Sequence, residues 1–275
     1  MKFAICNETW ERTPFGPTCE AIARAGYTGV EIAPFTLAED PRTITLADAR
    51  GYKNVAAANG LEIIGLHWLL VKPDGLHLTT PDQATRLATI EFGKHLVRLC
   101  AEMGGEVMVW GSPKQRSLEV DWDKKEATKR AADIIREIAI EAANHQVTIA
   151  MEPLARRLTN FLNTADDTAD FMKLVDHPSV QLHLDVMAMS DEGTPLPEII
   201  HRHAKSTVHF HANDANQRGP GFGDVDFHPI LQSLLDTKYQ GWVSVEVFDY
   251  RPDPDTIAIR SLEYLKSCLS ALTPT

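Results

Sequence analysis

Short apolar runs alternate with longer amphipathic stretches along the whole chain. The runs KFAIC (2–6), TGVEIA (28–33), LEIIGLHW (61–68), EVMVW (106–110), VTIAME (147–152), VQLHLD (180–185), STVHFH (206–211) and WVSVEV (242–247) carry the β-branched and aromatic content of buried strands. Between them the apolar positions recur at helical spacing, most clearly in ATRLATIEFGKHLVRLCAEMG (84–104) and KRAADIIREIAIEAANH (129–145). Helix stops are expected at Gly26, Gly60, Gly104, Gly105, Asn144 and Gly241, just ahead of the next strand. Eight strand-then-helix units without a Ser/Pro linker or a shift in composition predict an α/β protein, a (β/α)8 barrel forming a single domain over residues 1–275. A doubly wound open sheet is the alternative. It needs a GxGxxG turn after the first strand, where this chain has NETWERTPFGP.

One position breaks the strand pattern. In WVSVEVFDY (242–250), Glu246 sits between Val245 and Val247, and a lone buried carboxylate is costly. In a barrel, chemistry gathers at the C-terminal ends of the strands, and the ends of the last four runs hold Glu152, Asp185, His211 and Glu246. Three carboxylates brought together repel one another, and a divalent cation removes that repulsion. An oxygen-rich set with one imidazole suits Mn2+ first, with Mg2+, Co2+ or Zn2+ as alternatives. Alternation aims His183 and His209 inward one layer deeper, where they would orient a carboxylate or simply pack. Glu31, His67, Trp68 and Trp110 close the second, third and fourth runs as candidate ligand contacts or as structural caps and core. Asp214 and Asp226 flank the glycine-rich GPGFG (219–223), each as a loop cap or as a ligand-orienting group.

Composition narrows the classes. The chain has 275 residues, 44% of them hydrophobic, enough for a large core. Its formal net charge of −11 argues against a nucleic-acid partner, which usually meets a basic patch. The four cysteines are scattered without a CxxC pair, which suits a reduced compartment. No run approaches the roughly 20 apolar residues of a membrane helix, and the N-terminus lacks a signal-type apolar stretch. These features predict a cytoplasmic protein with no membrane partner, compatible with a homo-oligomer, dimer or tetramer.

These residues carry a resemblance. GYTGVEI (26–32), GLHW (65–68), EPL with NFLNTA (152–165), the Leu184–Asp185 pair, HFHAND (209–214), PGFGDVDF (220–227) and VSVEVF (243–248) resemble the xylose-isomerase-like TIM-barrel superfamily of sugar isomerases and epimerases. Within it the chain is most similar to the D-tagatose/D-psicose 3-epimerase and hydroxypyruvate isomerase group. The resemblance implies that Glu152, Asp185, His211 and Glu246 hold one divalent metal and that Glu152 and Glu246 double as acid/base residues. Ketose 3-epimerases of this group also carry a Glu, a His and an Arg at positions that are here Leu158, Ala188 and Gln217. Arg156 keeps an Arg of the pattern, and Arg218 stands one residue from the missing one.

The chemistry implied is removal of a proton beside a carbonyl by a carboxylate, through a metal-stabilised enediolate. The substrate is then a small sugar or keto-polyol. Epimerisation, 1,2-isomerisation and elimination share this step, so a lyase or dehydratase acting on a keto-sugar, keto-glycoside or inosose stays open beside the isomerase. An endonuclease IV type of enzyme shares the fold, but it needs more His ligands and a basic groove. A non-catalytic barrel would leave the metal and two-base set idle.

Overall fold

The computed structural model describes residues 1–272. From the N-terminus, β1 (Lys2–Cys6), α1 (Phe15–Ala25), β2 (Gly29–Ile32), α2 (Leu46–Ala58), β3 (Glu62–Leu66), α3 (Gln83–Met103), β4 (Val107–Trp110) and α4 (Lys124–Asn144) alternate. They continue as β5 (Thr148–Met151), α5 (Ala165–Val175), β6 (Val180–Asp185), a single turn α6 (Val186–Met189), α7 (Leu196–His203), β7 (Thr207–Ala212), α8 (Phe227–Asp236), β8 (Trp242–Val245) and α9 (Pro254–Ala271). The strands are all parallel and close into a barrel in sequence order, with β1 paired to β8. This is the (β/α)8 TIM barrel that the alternation of runs predicts.

Each expected strand is found with its ends within two residues of the run; most are trimmed, while β7 runs one residue further, to Ala212. Helix α4 begins at Lys124, five residues before the periodic stretch, because Asp123 caps the Glu126 amide at 2.8 Å and the first turn is polar. One expected stop differs. Helix α4 ends at Asn144 as expected, with Gln146 (φ 57°) in the left-handed region just past it, but after α8 the left-handed residue is Lys238 (φ 57°), not Gly241. Gly241 is needed instead for close approach: a β-carbon there would collide with the Tyr239 ring and the Val208 carbonyl.

The main core lies between the barrel and its helices, whereas Val107, Val109 and Ala150 form a small apolar patch of their own. Toward the C-terminal ends of the strands the barrel interior is polar, with Glu31, His67, His183, His209, His211 and Ser244 all buried. Two ladders slip where it matters. Between β2 and β3 the register shifts at Val30/Glu31, and between β6 and β7 at Leu182/His183, so that His183 lies opposite His209 and Asp185 opposite His211. Such irregularities re-aim side chains next to functional sites. Among the described residues no helix is long and apolar enough to cross a membrane.

The β3–β4 ladder is brief, with Gly65 opposite Val107 and Leu66 opposite Met108, and a β-carbon on Gly65 would overlap the Val107 carbonyl. Gly65→Ala should therefore force these strands apart. Overpacking of this kind costs about 1–3 kcal/mol, a fall of roughly 3–10 °C in Tm. Gly51→Ala, on α2 with nothing near its added methyl, should leave Tm unchanged or slightly raised. Thermal unfolding of the two variants beside the parent checks both.

Candidate metal and acid/base centre

Four consecutive strand ends converge at one barrel mouth. Glu152 follows β5, Asp185 ends β6, His211 lies near the end of β7, and Glu246 follows β8; all four are buried. Donor atoms of Glu152, Asp185, His211 and His183 lie within 4.8 Å of one another. Glu246 joins through His211, whose Nδ1 is 3.1 Å from its Oε2.

Each carboxylate has a distinct setting. Asp185 Oδ1 accepts from the Ala188 amide at 2.7 Å, capping α6, and its Oδ2 accepts from Asn213 Nδ2 at 2.6 Å. Burial and the Glu246 charge nevertheless push Asp185 up to about 6. Glu152 is pushed well above the usual carboxylate range by burial, then by repulsion from Glu246 and Asp185. Burial also acts to raise Glu246, but charge and hydrogen bonds from His211 and His67 outweigh it and hold the carboxyl at about 2. Its Oε1 meets His67 Nδ1 at 3.1 Å and accepts from Trp68 Nε1 at 2.9 Å. Two of the three carboxylates thus resist ionising, the stress that a divalent cation among them relieves, and the donor set fits such an ion.

Beneath the mouth lies a row of acid–imidazole contacts. His211 Nε2 and His209 Nε2 meet Glu31 Oε2 at 3.1 and 2.9 Å. His67 Nε2 meets Glu8 Oε2 at 2.9 Å. Burial opposes charge on His67 and His211, yet their carboxylate neighbours raise both well above the ordinary histidine value. His183 is different: burial, then the His211 and His209 charges, drive it well below, so it is neutral.

Other sequence candidates take their places as follows. Glu31 is fully buried under His211 and is turned away from the cleft, with a Cys6 thiol 3.7 Å from its Oε2. His67 is also fully buried and braces Glu246. Trp68, with φ 53°, lines the cleft. Trp110 does not: strand parity turns it outward into the core between barrel and helices, so the expected sugar-stacking wall is instead packing. Arg156 is exposed on the loop after β5. Arg218 is drawn off to Asp249, its Nε 3.0 Å from Oδ2, and Gln217 lines the cleft in its stead. Asp214 ties the glycine-rich turn, accepting from the Val225 amide at 3.1 Å, and Asp226 caps α8 through the His228 amide.

Sequence reasoning missed Glu8, Asn213, Gly111 and Arg116. Glu8 continues the inward parity of Cys6 past the strand end, which was its only signal. Asn213 stood in the quoted HAND stretch. Gly111 is required because a β-carbon there would overlap Glu152 Oε2. Arg116 is fully buried and joins the ends of β4 and β5, donating to the Glu152 carbonyl at 2.7 Å and to the Trp110 carbonyl. A loop arginine in GSPKQR carries no periodicity to flag it.

These shifts fix how stability varies with pH. Asp185 and Glu152 have raised folded values, so from about pH 4 upward the native state keeps protons that the unfolded chain has lost, and stability falls. His67 and His211, also raised, contribute stability present below about pH 6.5 and lost as pH climbs through their folded values. Glu246 and Glu31 are held low, and their contribution disappears only on acidification below about pH 4. Protein stripped with EDTA should thus lose Tm steadily between pH 5 and 8, and saturating Mn2+ should abolish that loss. A Tm that climbs over this range without metal would contradict the crowding of Glu152 and Asp185.

Comparison with known proteins places this geometry. D-psicose 3-epimerase of Ruminiclostridium cellulolyticum is 27% identical over 257 residues, covering 90% of this chain and 84% of that protein. The 3-dehydro-D-guloside 4-epimerase of Escherichia coli is 28% identical over 193 residues, 66% of this chain and 72% of that one. In fold, the crystal structure of 3-keto-D-glucoside 4-epimerase from E. coli matches with a TM-score of 0.86 at 22% identity, covering 98% of this chain and 100% of that chain. Residues 19–268 match the model of one family over most of the chain, and the protein belongs to that family, the xylose isomerase-like TIM barrels.

Proposed function

We propose that this protein is a divalent-metal-dependent sugar epimerase or isomerase that moves a proton on carbon beside a carbonyl. One observation carries the reading. Glu152 and Glu246 line the same cleft, and their surroundings push them in opposite directions, one toward the acid and one toward the base. Two carboxyl groups separated in this way form an acid/base pair. Glu246, braced by His67 and Trp68, is the ionised base that accepts the proton. Glu152, set against Gly111 and latched through its carbonyl to Arg116, is the second carboxyl of the pair, the one that exchanges a proton with the substrate after Glu246 has taken one.

Glu152, Asp185, His211 and Glu246 would hold the cation, with Mn2+ preferred. When bound it supplies Lewis-acid polarisation of the substrate carbonyl. Glu31 fixes His211 from behind through Nε2, the arrangement that orients metal-binding imidazoles.

The cleft has a volume of about 140 Å3, and around the two glutamates its wall is mostly apolar: Trp68, Pro113, Leu154, Leu158, Met187 and Phe248, with Gln217 the one amide. A free ketohexose needs donors and acceptors along its hydroxyls. This wall better suits a substrate that presents a C–H face or a capped end, such as a keto-glycoside. The relatives include ketose 3-epimerases and a glycoside 4-epimerase, and the apolar wall favours the second kind of substrate.

The test is incubation in D2O with ketoses, aldoses, keto-glycosides and inososes, followed by NMR. Solvent deuterium at an inverted carbon is expected with a keto-glycoside, and little turnover of free D-psicose or D-tagatose. An unsaturated, irreversible product would instead establish the lyase, and no exchange with any carbonyl sugar would end the proton-transfer reading. Glu152→Gln and Glu246→Gln should each lower kcat by several orders of magnitude, with circular dichroism unchanged. Gly111→Ala, which displaces the Glu152 carboxylate, should lower kcat at least tenfold while far-ultraviolet dichroism stays that of the parent.

A further inference from the structure

His183 has no place in the acid/base pair or in the four-residue ligand set. It lies on β6 two residues before Asp185 and is fully buried. Neither of its ring nitrogens has a hydrogen-bond partner among the described residues. The imidazoles around it are unlike it in this respect: His209 and His211 both meet Glu31, and His67 meets Glu8 and Glu246. Burying a polar group unpaired costs about 1–3 kcal/mol, and an orphan of this kind usually marks an ion or a water.

Its surroundings favour the ion. His183 Nε2 is 3.7 Å from Glu152 Oε1, too far for a good hydrogen bond. Two donors on one first-row divalent ion, each about 2.1 Å from it, sit roughly 3–4 Å apart. The His183 ring centroid is 4.2 Å from that of His211, with the planes at 73°. Of the four such donor sets among the described residues, each with all atoms within 4.8 Å of one another, the one at the strand ends that holds two carboxylates and two imidazoles is Glu152, His183, Asp185 and His211. The slip in the β6–β7 ladder falls at Leu182/His183, and it sets His183 opposite His209 rather than Val208.

We propose that His183 is a further protein ligand of the divalent cation, which is then held by two imidazoles as well as by carboxylates. This rests on the metal centre proposed above. Its chemical consequence is a shift in ion preference. Imidazole suits Zn2+ and later first-row ions, whereas Mg2+ prefers carboxylate and water, so a second nitrogen selects against Mg2+. The residue thereby sets which metal the barrel retains.

The experiment is pulsed EPR on the full chain, stripped with EDTA and reloaded with one equivalent of Mn2+, counting directly bonded imidazole nitrogens from their 14N couplings. Two are expected in the parent and one in His183→Leu. The same substitution should weaken Mn2+ and Co2+ at least tenfold in chelator competition and leave Mg2+ nearly unchanged. His183→Gln repeats the comparison should the Leu variant fail to fold, and the parent spectrum decides the point alone. A single bound imidazole in the parent, with Mn2+ still held tightly, overturns the role of His183 and leaves the metal centre standing. Failure to hold one equivalent of Mn2+ overturns the metal centre itself.

Discussion

The Glu31 carboxylate, sealed inside the barrel and bonded to the Nε2 atoms of His209 and His211, is the charge around which the interior is arranged. A carboxylate with no water must have positive or proton-donating neighbours, and here two imidazoles supply them. Burial alone would raise Glu31, yet these partners hold it well below the usual carboxylate range. His211 then passes the pattern upward to Glu246, Glu246 to His67, and His67 to Glu8. Acids and imidazoles alternate along this path. Removing one member leaves its neighbour buried and unpaired, a loss of about 3–5 kcal/mol. The network is therefore a fixed support for the mouth above it.

Backbone geometry serves the same end. The ladder slips at Glu31 and at His183 bring these side chains into the interior layer that the network occupies. Glycine takes the positions where a side chain would intrude, Gly65 against β4 and Gly111 against Glu152. Arg116 joins the ends of β4 and β5 by donating to two carbonyls, so the strand that carries Glu152 is fixed by its main chain while the carboxylate stays directed at the cleft. Burial lowers Arg116 to about 10, which still leaves it charged at neutral pH.

The eight strands and the four strand-end residues were legible because both depend on local pattern: period-two alternation, and polar residues at the ends of apolar runs. What escaped depends on parity and on distant partners. Trp110 closes an apolar run as Trp68 does, but it is the last residue of β4 and parity turns it outward, whereas Trp68 lies beyond β3 in a left-handed conformation that brings its indole to Glu246. Glu8 lies past the ladder, two residues beyond the end of the apolar run at Cys6. Gly241 looks like a helix stop, yet its conformational freedom is not used, since Lys238 makes the turn and Gly241 answers to the Tyr239 ring. Arg218 was a reasonable stand-in for a missing arginine until Asp249 is seen to hold it.

Two glutamates with the same intrinsic acidity occupy this cleft, and nothing in residue type distinguishes their roles. Their neighbours do. Glu246 receives three donors, from His67, Trp68 and His211, and each of these bonds is stronger when the carboxyl is ionised. Glu152 has no comparable set: its nearest imidazole, His183, is neutral and 3.7 Å away, and its other neighbours include two carboxylates. The asymmetry follows from which strands flank each residue. Glu246 stands beside β7 and faces β3, which contribute histidines, while Glu152 stands between β4, which is apolar, and β6, which adds Asp185. A barrel with the same two glutamates but with the histidines moved to the β4 side would reverse which of the two carboxyls is held low. Which carboxyl is held low is thus a property of the order of strands around the barrel.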